Sequence, residues 1–323
     1  MSKQKVSSRT IDSKNGIIGL AVGDAIGVPL EFLNREDLIN NPVTTMLEDK
    51  KERIPKGSWS DDTSLNIALI DSINKNQKVD LYDIGQRFIA WGENGEYTPT
   101  GKMFGIGRTT LKAIARLEEG KLAPEECGGD TESENGNGSL MRILPLVYYC
   151  YSKNLNEKEI YEVVKNVSSI THRHEISIMG CFIYVMYGIS LLNDKNLLQS
   201  YKYIKKLKYN TYFSKETIDK YKRILGENIA KCELEEIKST GFVIDTLEAT
   251  IWTLLNTDSY NQAIIGAINL GGDADTVGAC VGGVAGIYYG LESINKDWIK
   301  DLQKYDYIEN MCNEFNKVLN EEI

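Results

Sequence analysis

The feature that most constrains this chain is a pair of glycine stripes at its two ends. Gly278, Gly282, Gly286 and Gly290 recur every fourth residue near the C-terminus, and Gly16, Gly19, Gly23 and Gly27 do nearly the same near the N-terminus. Residues three and four apart share one face of a helix. Each glycine costs roughly 1 kcal/mol against alanine inside a helix, so such runs need a reason, and close approach of another helix in the core supplies one. The spacing predicts two buried helices, the first beginning near Asn15 and ending at Pro29.

The second stripe opens on Gly271-Gly272-Asp273-Ala274-Asp275-Thr276. Asp and Thr are ordinary caps and first-turn residues, so this corner alone is equally a cap or a set of metal ligands. A second corner changes the balance. Ser60-Asp61-Asp62-Thr63 runs into a helix with Leu65, Ala68, Leu69 and Ile73 on one stripe. Adjacent carboxylates exceed what capping requires and repel unless a cation lies between them. Together Ser60, Asp61, Asp62, Asp273, Asp275 and Thr276 supply six hard oxygen ligands, suited to Mg²⁺, Mn²⁺ or Ca²⁺ rather than Zn²⁺. That is enough for two ions roughly 3.5–4 Å apart.

Strand-like alternation is nearly absent and no linker is visible, so the chain is expected to form one all-α, multi-helix domain over residues 1–323, with 1–14 loose. Asp24, inside the first helix, needs a partner and is expected to support structure. Glu31, just past the helix, is better placed to reach a ligand. Residues 34–56 and the Lys- and Tyr-rich 194–238 read as surface. Helices are expected over 81–91, from 111, after 242, and, charged and peripheral, over 291–323. Gly101, Gly105 and Gly107 precede a helix, as in a phosphate-cradling turn or an ordinary loop. Asn135-Gly-Asn-Gly-Ser139 is a turn expected to launch a helix with Ser139 as its cap, or a turn whose small residues admit a ligand. Met141 and Leu144 read as core and Arg142 as a buried ion-pair partner. Of the two histidines, His172 is expected to start a helix and hydrogen-bond in a pocket, and His174 to be incidental.

The net charge of −9 argues against general binding of nucleic acid or anionic membrane. Six cysteines without a Cys-x-x-Cys pair favour a reducing compartment. With no apolar signal core and no run of about 18 apolar residues, a soluble, cytoplasmic protein is expected.

Taken together, Gly23-Asp24-Ala25-x-Gly27 with Glu31, Ser60-Asp61-Asp62-Thr63, Gly136-Asn137-Gly138-Ser139-x-Met141-Arg142, Thr171-His172 and Gly271-Gly272-Asp273-Ala274-Asp275-Thr276 resemble, in order, the ADP-ribosylglycohydrolase family. The resemblance implies a dinuclear Mg²⁺ or Mn²⁺ centre on the six oxygen ligands, with Glu31, Asp61 and Asp275 carrying catalysis. It places Asn137, Gly138, Ser139 and His172 at the diphosphate and ribose, and Phe242 near the adenine. Gly105 stands among the substrate-contacting positions, where arginine-specific relatives often carry Asp, and Ser60 replaces a more usual Thr. The implied reaction is hydrolysis of the bond between ADP-ribose and an acceptor, arginine on protein by default. Serine-linked, nucleic-acid-linked or small-molecule ADP-ribose are the alternatives, as is a non-catalytic ADP-ribose-binding protein.

Overall fold

A computed structural model describes residues 10–321. Among them are sixteen α-helices, and the only β pairing is three isolated bridges. The helices are α1 (Lys14–Gly27), α2 (Arg35–Asn40), α3 (Asp61–Asn76), α4 (Leu81–Asn94), α5 (Arg108–Glu119), α6 (Pro145–Ser152), α7 (Glu157–Ser169) and α8 (Glu175–Leu192). The second half holds α9 (Leu197–Ile204), α10 (Lys215–Lys220), α11 (Lys222–Leu225), α12 (Val243–Leu255), α13 (Tyr260–Ile268), α14 (Ala274–Tyr289), α15 (Lys296–Asp301) and α16 (Tyr305–Asn320). One continuous hydrophobic core runs through them.

The glycine stripes meet. A Cβ on Gly19 would lie 2.5 Å from the Gly282 carbonyl oxygen, and one on Gly278 would lie 2.5 Å from that of Gly23. Gly27 faces Asp275 and Gly286 faces Asn15, so α1 and α14 run antiparallel at backbone contact. This contact tolerates no side chain, which explains a helix cost that would otherwise be pointless. Tyr260 Oη and Tyr184 Oη donate to the carbonyls of Gly19 and Cys280, adding polar fastenings to the apolar pair. The antiparallel register has a functional consequence. It delivers the exit of α1, and with it Glu31, to the entry of α14, where Asp273 and Asp275 stand.

Several sequence expectations are corrected. Residues 10–14 are not loose: Ile11 and Ser13 backbone N–H groups donate to Asn320 and Asn316 of α16; residues 1–9 lie outside the described part. The C-terminal region is two helices rather than one. It is not merely peripheral, since α16 buries Ile308, Cys312, Phe315, Val318 and Leu319. The segment after the 135–139 turn continues as turns to Leu144, and α6 begins at Pro145, whose fixed φ suits a first helical position. His172 does not start α8. His174 does, its side chain accepting from Ile176 N. Residues 194–238 bury Tyr201, Tyr209, Phe213 and Tyr221, with Tyr209 and Phe213 packed on Phe182 of α8. The α8 helix is 18 residues long with mean hydropathy 1.7, long and apolar enough to cross a membrane, but 83% of that window is buried inside the fold. All six cysteines are free thiols.

Candidate active site

Asp24 builds the first corner. Its buried carboxylate accepts from Ser60 N at 3.0 Å, Thr63 N at 3.0 Å and Thr63 Oγ1 at 2.6 Å. The side chain of one helix thus caps the start of another. With its oxygens so occupied, Asp24 is the support expected of it, and Asp61 and Asp62 are turned outward into a cavity of about 580 Å³. Ser60 Oγ donates to Asp62 Oδ2 at 2.9 Å and also accepts from Asp62 N.

The second corner depends on a turn that only glycine makes comfortably. Gly271 and Gly272 have φ of +70° and +67°, and a Cβ on either would strike the backbone of Leu33 or Ser239. Across this turn Phe32 N donates to Gly272 O at 2.7 Å and Gly272 N to Leu33 O at 3.0 Å. Glu31 is thereby clipped above the Asp273–Thr276 corner.

The two corners converge. Thr276 Oγ1 donates to Asp62 Oδ2 at 3.4 Å, and Glu31, Asp61, Asp62, Asp273, Asp275 and Thr276 line the same cavity. One carboxylate oxygen each from Asp24, Asp62 and Asp275 lie within 4.8 Å of one another. Asp62 Oδ1 and Asp275 Oδ1 are buried without a hydrogen-bond partner among the described residues. Burial first, then neighbouring carboxylates, hold Asp61, Asp62 and Asp275 well above the ordinary carboxylate range. Burial together with Asp273 pushes Glu31 up to about 7. Orphaned anionic oxygens packed against one another are a poor protein interior and a good cation site. The donor set, oxygen throughout, fits a hard divalent ion.

Beyond the acids, the cavity wall carries Gly105, Asn137, Gly138 and His172. Asn137 Nδ2 donates to Asp273 Oδ2 at 2.8 Å, and its backbone N–H to Gly241 O at 2.9 Å. His172 is buried with its ring against Gly138. Gly105, at φ +84°, sits directly over Asp61, and any Cβ there would collide with Asp61 Oδ1.

Three expected site residues do not line this cavity. Ser139 is fully buried beneath the wall, its hydroxyl contacting Ser168 Oγ at 3.0 Å and Cys181 Sγ. Phe242 stands at the rim of a neighbouring depression with Lys238 and Asp245. Ser60 does not line the cavity but adjoins it, its Cβ 3.3 Å from where a Cβ on Gly105 would stand. Among the described residues the ion pair expected of Arg142 is also absent: its guanidinium reaches Val167 O and Thr171 Oγ1 and lies over the Phe88 ring. His174, expected to be incidental, faces Asn135 Nδ2 at 3.1 Å through Nδ1 besides capping α8.

Sequence reasoning missed Arg35. From the segment read as surface, Arg35 donates to the carbonyls of Leu270, Leu234 and Ile237. It pins the loops around the second corner. No local pattern marks it, because its partners are backbone atoms distant in sequence. Phe32 was missed too; it is 79% exposed at φ 64°, beside Glu31 at the cavity mouth.

A family model for ADP-ribosylglycohydrolase matches residues 8–322. The chain belongs to the ADP-ribosylglycohydrolase family. It is thus an enzyme of the class that hydrolyses glycosidic ADP-ribose linkages. Among its relatives, an ADP-ribosylarginine hydrolase Tri1 of Serratia proteamaculans is 32% identical, the match covering 94% of this chain and 79% of that one. An ADP-ribosyl-[dinitrogen reductase] glycohydrolase of Rhodospirillum rubrum is 26% identical over 88% of each. A solved structure titled ADP-ribosylglycohydrolase-related protein complex superposes with a TM-score of 0.79 at 26% identity, covering 95% of this chain and 98% of that one.

Proposed function

We propose that this glycohydrolase removes ADP-ribose from arginine side chains of protein, using two hard divalent cations, Mg²⁺ or Mn²⁺. The observation that carries the reading is the convergence of two acidic corners on orphaned, buried carboxylate oxygens. The arginine acceptor is supported by the relatives named for it.

Asp61, Asp62, Asp273, Asp275 and Thr276 would hold the cations. Ser60 would complete the set with the lone pair its oxygen keeps after serving Asp62 N. When bound, such ions neutralise the packed carboxylates, grip ribose hydroxyls and lower the pKa of water. The rest falls to the chain. Glu31, clipped over the second corner, is placed to take a proton from the attacking water as its oxygen bonds to the anomeric carbon, while the C–N bond breaks, the guanidine leaves with the electron pair and afterwards takes up that proton. Pushed up to about 7 by burial and Asp273, Glu31 can exchange a proton near neutral pH. The carboxylates around the ribose stabilise the oxocarbenium-like state through which such bonds cleave. Asn137 orients Asp273, and the Gly136–Gly138 turn with His172 forms a wall that a diphosphate can approach at backbone distance.

A second reading keeps the site and changes the acceptor. Gly105 favours it: at φ +84°, over Asp61, that position cannot offer a carboxylate to a guanidinium. Release of ADP-ribose from arginine-linked and serine-linked peptides decides between them. Turnover of the arginine peptide with Mg²⁺ or Mn²⁺, lost with chelator and in Asp275→Ala, supports the proposal. Turnover of the serine peptide alone would replace the acceptor, and binding without release would leave an ADP-ribose receptor.

A further inference from the structure

Arg142 is fully buried, and among the described residues its Nε and Nη1 have no hydrogen-bond partner. Burial pulls it down to about 10, so at neutral pH it remains a cation. A buried charge with neither a carboxylate nor full hydrogen bonding is costly and asks for an explanation. Its Nη2 supplies one, donating to Thr171 Oγ1 at 2.8 Å, which in turn lies 2.9 Å from His172 Nδ1.

The directions of these bonds are constrained. A guanidinium only donates, so the Thr171 hydroxyl accepts from Arg142 and has one proton to give. Among the described residues its other side-chain partner is His172 Nδ1. Were Nδ1 protonated, Thr171 would receive two donors and its own proton would be stranded in the interior, at a cost of about 1–3 kcal/mol. Nδ1 therefore accepts, and the ring carries its proton on Nε2. That edge faces the cavity: Cβ atoms built on Gly138 and Gly136 would lie 2.8 Å from His172 Cε1 and 3.5 Å from Nε2. With no side chains, Gly136 and Gly138 leave that edge of the ring in the cavity lining. The charged groups acting on the ring are Arg142 from behind and Glu134 from the rim; burial and then Arg142 hold the ring neutral, down to about 3.

We propose that Arg142, acting through Thr171, is a positioning residue that locks His172 in the Nε2–H tautomer and so presents a neutral N–H donor to an anionic phosphoryl oxygen in the cavity. The identity of that oxygen, part of ADP-ribose, rests on the function proposed above. The tautomer does not. It follows from the direction of two hydrogen bonds.

The test is nitrogen NMR of histidine-labelled full-length protein, with His174→Asn assigning the two rings. Wild type is expected to show the Nε2–H pattern for His172 and no protonation down to about pH 4. Thr171→Val, which keeps the shape and deletes the relay, is expected to give mixed tautomers and about tenfold weaker ADP-ribose binding by calorimetry. Thr171→Ser is expected to restore both, which a purely structural role for the residue would not predict. An Nδ1–H ring in wild type, or an unchanged tautomer in Thr171→Val, overturns the proposal, and neither reading depends on Arg142 variants folding. Failure of wild type to bind ADP-ribose overturns the substrate reading alone, because the spectra of the ligand-free protein decide the tautomer by themselves.

Discussion

The two acidic corners do the same work on different foundations. The Ser60–Asp62 corner is held from within: Asp24, on a helix in backbone contact with its partner, caps α3 through three donors. The Asp273–Thr276 corner has no side-chain cap and is fastened by loops, through Phe32, Leu33, Asn137 and Arg35. One half of the site is therefore held by a single buried carboxylate, and the other by the close packing of α14 on α1 together with the loops that carry Glu31 and Asp273. The difference places the support of the first corner in one side chain and that of the second largely in backbone contacts, with Glu31 on the same loops.

Breaking the second corner should cost chemistry more than folding. Asp275→Ala is expected to lower kcat/KM by 10³-fold or more, about 4 kcal/mol. The same change removes a buried, unpartnered carboxylate oxygen. It should leave metal-free thermal stability unchanged or higher, and abolish stabilisation by added Mg²⁺ or Mn²⁺. A metal-free protein markedly destabilised by it would mean that the corner is structural after all. Breaking the support of the first corner should do the reverse. Asp24→Ala strands Ser60 N and both donors of Thr63, and is expected to cost about 3 kcal/mol in urea unfolding. Asn137→Ala, the nearest equivalent at the second corner, should cost about 1 kcal/mol.

Arg35 sharpens the contrast. Arg35→Met removes the clamp on three carbonyls and is expected to reduce kcat/KM about tenfold. Faster hydrogen exchange at Gly272 and Asp273, with Asp61–Thr63 unchanged, would confirm that it acts on one corner only.

The last effect is electrostatic. His172 is pushed down from 6.5 to about 3 in the folded protein. Below pH 6.5 the unfolded chain takes up a proton that the folded chain refuses, so stability falls as pH drops, by about 1.4 kcal/mol per unit at most. His172→Gln should flatten the acid limb of the stability profile between pH 4 and 6 by about one proton.

What was legible in the sequence is what local spacing encodes. Glycines at helical intervals announce a close helix contact, and adjacent aspartates beside hydroxyls exceed any capping need. Both features write their cause into neighbouring residues. Asp24 and Glu31 were legible for the same reason, lying within and just after a glycine stripe. What stayed hidden depends on partners far along the chain. Arg142 looked like half of an ion pair because nothing local reveals that its partners are a carbonyl, a hydroxyl and an aromatic face. Ser139 looked like a ligand contact, yet its hydroxyl turns inward to Ser168. The tyrosines of 194–238 sit among lysines in sequence but pack on α8 in space, so charge pattern misjudged their burial. The start of α8 was misplaced because the capping atom belongs to a histidine, an uncommon cap.

The antiparallel glycine pair also carries a cost during synthesis. Tyr260 fastens to Gly19 across 241 residues of chain, and the matching stripe lies further still. At about 5–20 residues per second the first helix waits about 12–50 s after emerging from the ribosome before its mate exists. For that interval the glycine face of the first helix lacks the one surface shaped to cover it, although α3 can already dock on its Asp24 side, which makes that face the natural ground for a holding chaperone.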